Sequence, residues 1–568
     1  MGRDYFTAGG RWRARSSKSS ATLLKAVSAV AVTLAVAVTT ACGSAGGQTA
    51  SDGDGTPTAG GTLRVVEDVD SLNCVDPFQT AWTATRSVVR NVAESLVDQD
   101  PKTGDISPWL AKDWKISDDG KTYTFNLKSG ITFSDGEAFN ADAVVTTFEG
   151  DLATLKAKPG TVGGFYVGNL ESVTKVDDDT VKFNLSAPNA SFLQGLATTT
   201  LAILSPKSFD YTPQERCQGK IVGTGPFTLE KYDVNTETIL SKRKGYTSPS
   251  PFSTNDGDAY LDKVQISYIP EASVRIGNLV SGAADVIWTD SDSPLVQNDV
   301  TQIKQSGGSV QTRSLPGSTY ELFPNVRNGG PLSDKKVREA FSLGIDRSTY
   351  ASTIVRDDYP VVSGVVDTTT PSFSKQSSSV KYDPSEAKKL LDEAGWKVAD
   401  DGYRYKDGKK LSISFLTTSK DDGAELIQDE LKKIGIDYQI NVVTSAQYTS
   451  LSNANQYDVV SITYTRADPS AINTLLDTRY ATFKALTGNT QTDADRKYLE
   501  AAFDKGTTQT NADERTATYQ DIQKYISDNS ILIPVFERVQ DAGISSKVKG
   551  IRFTAESFSD YSGASLDK

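Results

Sequence analysis

The chain has 568 residues, no histidine, and a single methionine, Met1. Catalysis by Ser-His-Asp or Cys-His groups is therefore excluded, as are imidazole-ligated metals and methionine-ligated copper. The formal charge is −12; because the first 41 residues hold six Lys or Arg and one Asp, the remainder carries −17, with no basic stripe, which argues against nucleic-acid binding.

Residues 1–41 begin with Arg3, Arg11, Arg13, Arg15, Lys18 and Lys25, turn apolar over 26–38, and end in Thr39, Thr40 and Ala41. A basic start, a short apolar run and small residues at the cut mark a secretory signal. The apolar run falls short of the roughly 20 residues that span a bilayer. Cys42, directly after the cut, resembles the acceptor of a bacterial lipoprotein lipobox, where the thiol receives diacylglycerol. Thr39 departs from the Leu usual at its position, and plain secretion with a spare thiol is the other reading. Residues 43–61 are Gly, Ser, Thr, Ala and Asp with a single Gln48 and a single Pro57, a composition that cannot bury a core. Such a coil reaches roughly 20–25 Å and reads as a tether.

Globular patterning starts at Thr62. Leu63 and Val65 predict a strand, and 83–96 a helix. The stretch 122–128 alternates, with Tyr123, Phe125 and Leu127 on one face, the mark of a half-buried strand. Ser134-Asp135-Gly136 predicts a turn, and Asn140 caps a helix carrying Val144, Val145 and Phe148. Asp177-Asp178-Asp179 joins a hairpin whose second arm shows Val181, Phe183 and Leu185. Asp334 caps a helix with Val337, Ala340, Phe341 and Ile345 at helical spacing. The clearest helix runs over 383–395: Asp383 at the N-cap, Pro384 in the first turn, Glu386 completing a capping box, a stripe of Ala387, Leu390, Leu391 and Ala394, and Gly395 as terminator. Strands and helices interleave, which indicates α/β domains, and the length calls for at least two.

Three cysteines are present. With Cys42 lipidated, Cys74 and Cys217 remain as a disulfide pair in an oxidising compartment, or else as two buried free thiols. Neither lies in a CxxC.

Taken together, the strings resemble family 5 of the extracellular solute-binding proteins, which serve peptide/nickel-type ABC importers. They are Gly60-Gly61-Thr62-Leu63, Asp76-Pro77, Pro108-Trp109-Leu110-Ala111, the run 117–125, Phe133-Ser134-Asp135-Gly136 and Gly223-Thr224-Gly225-Pro226-Phe227. Tyr260-Leu261-Asp262-Lys263-Val264, Ser281-Gly282, Val337-Arg338-Glu339-Ala340, Ile345-Asp346-Arg347, Tyr382-Asp383-Pro384, Glu393-Ala394-Gly395-Trp396 and Ile531-Leu532-Ile533-Pro534 follow in order. The Gly223 to Phe227 string reads as a tight turn whose glycines permit positive φ and close backbone approach.

The resemblance implies an α/β, two-lobed, periplasmic-binding-protein-like fold (type II, cluster C) with an extra subdomain inserted in lobe one. Lobe one would comprise 62–100, 219–316 and 537–568, the inserted subdomain 101–218, and lobe two 317–536, behind a signal peptide 1–41 and a lipid-anchored linker 42–61. A Cys74–Cys217 bridge would pin the insertion's return. The implied activity is capture of oligopeptides outside the membrane by a monomer and delivery to an ABC permease, with no cofactor, no metal and no catalysis. The anchor would sit on the outer face of the cell membrane or in the periplasmic space.

Candidate ligand residues follow from the same resemblance. Asp468, before Pro469, matches the Asp that receives a peptide's ammonium, or it caps the following helix. Arg466 receives a ligand carboxylate or is a solvated charge. Tyr464 lies in the same stretch. Trp82 and Tyr320 touch ligand or pack in core and hinge. Two alternatives stand beside the peptide reading: a non-peptide solute such as an oligosaccharide or metal chelate, and a secreted carboxylate-pair hydrolase.

Overall fold

The computed structural model describes residues 57–69, 74–80, 83–290, 293–419, 422–479 and 484–567. The predicted leader, Cys42 and Trp82 lie outside these residues.

Alternating side chains build the first sheet unit. In Thr122–Leu127, Tyr123, Phe125 and Leu127 are buried while their neighbours are half-exposed. The strand pairs antiparallel with Ala111–Ile116 on one side and Thr180–Leu185 on the other, and Leu170–Asp177 completes a four-stranded sheet. Helix Ala141–Ala157 covers the apolar face, capped by Asn140, whose Oδ1 accepts from the Ala143 amide at 3.0 Å. Phe148 on this helix meets Phe183 edge-on at 4.9 Å.

This unit is inserted in a larger body. A seven-stranded mixed sheet runs Ser309–Ser314, Val539–Ile544, Val286–Trp288, Thr62–Glu67, Lys263–Tyr268, Glu237–Lys242 and Phe227–Asp233. A second, five-stranded sheet runs Asp437–Val442, Ser412–Thr417, Val459–Ile462, Tyr320–Pro324 and Ile533–Phe536. The architecture is thus α/β and two-lobed, with the four-stranded subdomain between the first and second lobe-one strands met along the chain. The chain passes from the first lobe to the second after Ser314 and returns after Phe536. The two crossings lie side by side, the Leu315 amide donating to the Arg538 carbonyl at 2.9 Å.

Cys74 and Cys217 are joined at an S–S distance of 2.07 Å across a sequence separation of 143. Beside the bridge Arg216 Nε meets Asp76 Oδ2 at 2.8 Å, both side chains buried.

Several local expectations need correction. The helix expected over 83–96 stops at Arg90; beyond it Asn91 to Ala93 form a tight turn over which the Gly223–Phe227 string packs. There Gly223 and Gly225 do not adopt positive φ. They are required by close approach alone: a Cβ on Gly223 would stand 2.2 Å from the Val92 carbonyl oxygen, and one on Gly225 2.6 Å from the Val92 carbonyl carbon. Asp383 caps helix Pro384–Glu393 through the Glu386 amide at 3.0 Å. The Glu386 carboxylate does not return to complete a capping box; it takes Lys389 at 3.0 Å instead. Ile345 lies past the end of its helix, which closes at Leu343.

Glu94 locks this junction. Fully buried, it accepts from Tyr246 Oη at 2.5 Å and Ser248 Oγ at 2.7 Å. Burial pushes its carboxyl up to about 7, against those hydrogen bonds, one from Thr224, and the nearby charge of Arg243. A carboxyl that holds its proton more tightly folded than unfolded stabilises the fold fully below its unfolded value, and loses that contribution as pH rises through 7. Wild-type stability relative to Glu94→Gln is therefore expected to fall by on the order of 1–3 kcal/mol between pH 5 and pH 8. Parallel pH–stability curves from urea denaturation of the two proteins would count against this assignment.

Candidate functional site

The segment 463–470 joins strand Val459–Ile462 to helix Ala471–Leu476 and is stitched to the first lobe crossing. The Ser318 amide donates to the Tyr464 carbonyl at 3.0 Å, the Tyr464 amide to Ser318 Oγ at 2.9 Å, and the Arg466 amide to the Pro316 carbonyl at 2.9 Å. Gly317 makes this approach possible. It sits at φ +120°, and a Cβ there would lie 2.1 Å from the Tyr464 carbonyl oxygen. Only glycine fits both demands.

So positioned, the segment meets the inserted subdomain. Arg466 is buried with its guanidinium 4.8 Å over the Tyr166 ring, and its Nε donates to Gln194 Oε1 at 3.1 Å. Asp468 is buried as well. Its Oδ1 accepts from the Ser470 amide at 2.9 Å, Ser191 Oγ at 3.0 Å and Arg515 Nη2 at 2.8 Å. Its Oδ2 receives no hydrogen bond among the described residues. Burial works to raise the Asp468 carboxyl, but Arg515 and Arg466 beside it hold it well below the usual carboxylate range. It is an anion at any physiological pH.

Tyr464 stands edge-on to Phe165 at 5.7 Å, and burial pushes its phenol up. Across the seam, lobe-one helix Thr83–Arg90 supplies Arg86, paired with Glu556 at 3.0 Å, set over Phe558 at 4.7 Å and donating to Tyr166 Oη at 3.4 Å. Tyr166 is thus touched by an arginine from each lobe. Tyr320 stands apart from this group: its ring stacks on Phe536 at 4.5 Å and its hydroxyl donates to Ser461 at 3.0 Å, within the second lobe's packing.

The arrangement joins Tyr464, Arg466 and Asp468, and adds Arg86, Tyr166, Ser191, Gln194, Arg515 and Glu556, none of which stood out in the sequence. No motif marks them, since each contact spans far-separated segments, 272 residues for Arg466 and Gln194. The glycine pair before Phe165 was the one local signal; a Cβ on Gly163 would strike the Phe78 ring at 2.2 Å.

Next to Ala467 the three bodies border a half-open cleft of about 380 Å³, lined by residues 99–104, Arg313, 368–371, Ala467 and Ala555. Among the described residues no group of three or more His, Cys, Asp or Glu side chains is placed to hold a metal ion.

A protein-family model, "Bacterial extracellular solute-binding proteins, family 5 Middle", matches residues 105–484. The chain belongs to this family. Among curated relatives, the heme-binding protein A of Haemophilus influenzae is 25% identical over 511 residues, covering 86% of this chain and 88% of the relative. The dipeptide-binding protein of Escherichia coli is 26% identical over 394 residues, covering 65% and 69%. Among solved structures, NikA from Brucella suis in complex with Fe(III)-EDTA has a TM-score of 0.78 at 22% identity, over 89% of this chain and 100% of that one. DppA from Helicobacter pylori in complex with the peptide STSA gives 0.71 at 25% identity, over 90% and 99%. Family 5 proteins are the solute-binding subunits of ABC importers and act outside the cytoplasm, so this protein is a transport binding protein and not an enzyme.

Gly317→Ala is expected to cost roughly 2–4 kcal/mol of unfolding free energy, from strained φ and backbone collision together. Gly402, at φ +82° with nothing within 4 Å of its would-be Cβ, isolates the φ contribution. Gly402→Ala should cost about 1 kcal/mol. Equal losses in denaturant titrations would refute the close-approach argument.

Proposed function

We propose that this protein captures short peptides and hands them to its permease while held at the membrane by lipid on Cys42. Asp468 carries the reading. It is a permanently ionised carboxylate at the seam of three bodies, with Oδ1 fixed by Ser470, Ser191 and Arg515 and Oδ2 uncommitted among the described residues. A peptide ammonium on Oδ2 would form a charge-assisted bond away from water, the setting in which such bonds are strongest. Arg466 and Tyr464 are the proposed companions, the first for ligand oxygens and the second for apolar contact. Relatives named for dipeptides support this choice.

A metal chelate is the second reading. Arg86, Arg466 and Arg515 cluster at the seam, and planar guanidiniums suit carboxylate-rich chelates. The carboxylate-pair hydrolase has no support from the family.

Asp468→Asn keeps the acceptor that Ser191, Ser470 and Arg515 use but removes the charge. It is expected to weaken binding of tri-alanine more than tenfold in calorimetry while leaving N-acetyl-tri-alanine unchanged. Equal loss for both peptides would dismiss the ammonium role, and stabilisation by Fe(III)-EDTA but by no peptide would favour the chelate. No helix among the described residues is long and apolar enough to cross a membrane. Cys42→Ser should therefore move the protein from the membrane fraction to the medium; a variant that stays membrane-bound would contradict the anchor.

A further inference from the structure

We infer that segment 189–194 of the inserted subdomain is a releasable latch, which sets how often the second lobe stands closed when no solute is bound. Ser191 is its central residue.

The latch is held rigid from within its own body. Phe192 is buried against Tyr123 and Phe183, with ring centroids at 5.1 and 5.7 Å. Asn189 fixes the turn before it: its carbonyl accepts from Tyr123 Oη at 3.0 Å, and its Oδ1 accepts from the Ser191 amide at 3.1 Å.

Three separate segments of the second lobe meet this turn. From the segment after strand Val459–Ile462, Arg466 donates to Gln194 Oε1 at 3.1 Å and to the Ser191 carbonyl at 3.3 Å. From the end of helix Asp493–Thr508, the Thr507 carbonyl accepts from the Ala190 amide at 2.8 Å. From helix Ala512–Asp528, Arg515 pairs with Asp468 at 2.8 Å, and Ser191 enters that pair. Its Oγ donates to Asp468 Oδ1 at 3.0 Å and accepts from Arg515 Nη2 at 2.8 Å.

In each of these bonds the subdomain's partner is neutral: an amide, a hydroxyl or a carbonyl. The charges of Arg466, Asp468 and Arg515 all belong to the second lobe. Opening therefore leaves Asp468 paired with Arg515, while water takes the places of Ser191 and Gln194. The clasp between Arg356 and Asp541 is different, because its two charges sit on different lobes and parting them would strand both. Hydrogen bonds to charged groups are strong ones, and with no charge to strand they are also reversible. Ser191 counts most because one hydroxyl answers both members of the pair, as donor to the carboxylate and acceptor from the guanidinium. A solute that binds the closed state is then held with an affinity scaled by the closed fraction, whatever its chemistry.

The test uses the Cys42→Ser form of the mature protein, stripped of solute by dialysis from mild denaturant. Dyes are placed on Glu149→Cys in the subdomain and Lys388→Cys in the second lobe, both exposed positions. Single-molecule energy transfer then counts closed and open molecules directly. The parent is expected to show both populations. Ser191→Ala, which removes hydrogen bonds to charged groups, should lower the closed-to-open ratio about tenfold. Gln194→Ala should shift it in the same direction. Ser186→Ala is the control, since its hydroxyl bonds to the Asn169 carbonyl inside the subdomain, and it should keep the parent's ratio. Hydrogen exchange over strand Thr122–Leu127 checks that the subdomain stays folded; if Ser191→Ala loosens that strand, Gln194→Ala decides alone. A ratio unchanged in both latch variants overturns the inference. So does a parent that is open throughout without solute, or a Ser186→Ala shift as large as that of Ser191→Ala.

Discussion

The seam between the lobes is polar, and that constraint governs the rest. The main apolar clusters stay within the bodies: one fills the inserted subdomain around Phe125, Phe148 and Phe183, another lies under the seven-stranded sheet around Val264 and Trp288, and others flank the five-stranded sheet. Among the described residues only a small group, Ala351, Val355, Tyr359 and Val539, straddles the crossings. Closing the lobes thus gains little from apolar burial. It desolvates Arg466, Asp468 and Arg515 instead, a cost set against the Asp468–Arg515 pair and the Arg466–Gln194 hydrogen bond, and buried ion pairs of this kind roughly break even. A seam near balance leaves ligand contacts to decide between open and closed, as capture followed by release requires.

The crossings restrain how that motion occurs. Arg538 is buried between them, its amide donating to Asp367 Oδ1 at 2.9 Å and its Nη2 to Thr465 Oγ1 at 3.0 Å. Glu321, Asp367 and Glu537 are buried around it, each with one carboxyl oxygen lacking a partner among the described residues, and burial raises all three. Farther out, Arg356 from the second lobe clasps Asp541 of the first lobe through two nitrogens, at 2.8 and 2.9 Å. Breaking one member of so buried a pair leaves the other charge uncompensated, so this clasp holds the two lobes in one register about the crossings.

Local patterns explain which parts of this were legible in the sequence. The alternation of Tyr123, Phe125 and Leu127, the caps at Asn140 and Asp383, and the stop at Gly395 all act within a few residues, and each appears where the pattern put it. Errors arose where tertiary contacts intervened. The Gly223–Phe227 string presses on the turn after Arg90 and fixes the end of a helix that its own residues would have continued. Asp468 was reachable because its neighbour Pro469 fits a family pattern. Arg515 and Tyr166 were not, because nothing near either residue records that both will face the segment carrying Asp468.

Tyr166 gives the inserted subdomain its part in capture. The subdomain could have been an ornament on the first lobe, yet the Tyr166 side chain is touched by an arginine from each lobe, Arg86 by hydrogen bond and Arg466 by its guanidinium face. The same subdomain lends Ser191 to Asp468 and Gln194 to Arg466, and the Ala190 amide reaches the Thr507 carbonyl of the second lobe at 2.8 Å. Closure is therefore a three-body event. The second lobe docks on the subdomain as much as on the first lobe, and the Cys74–Cys217 bridge, with Arg216 on Asp76 beside it, ties the returning end of the insertion to the first lobe. A subdomain free to tilt would carry Ser191 and Tyr166 away from the arginines, so the bridge at its base sets the geometry of a seam formed far from it in sequence.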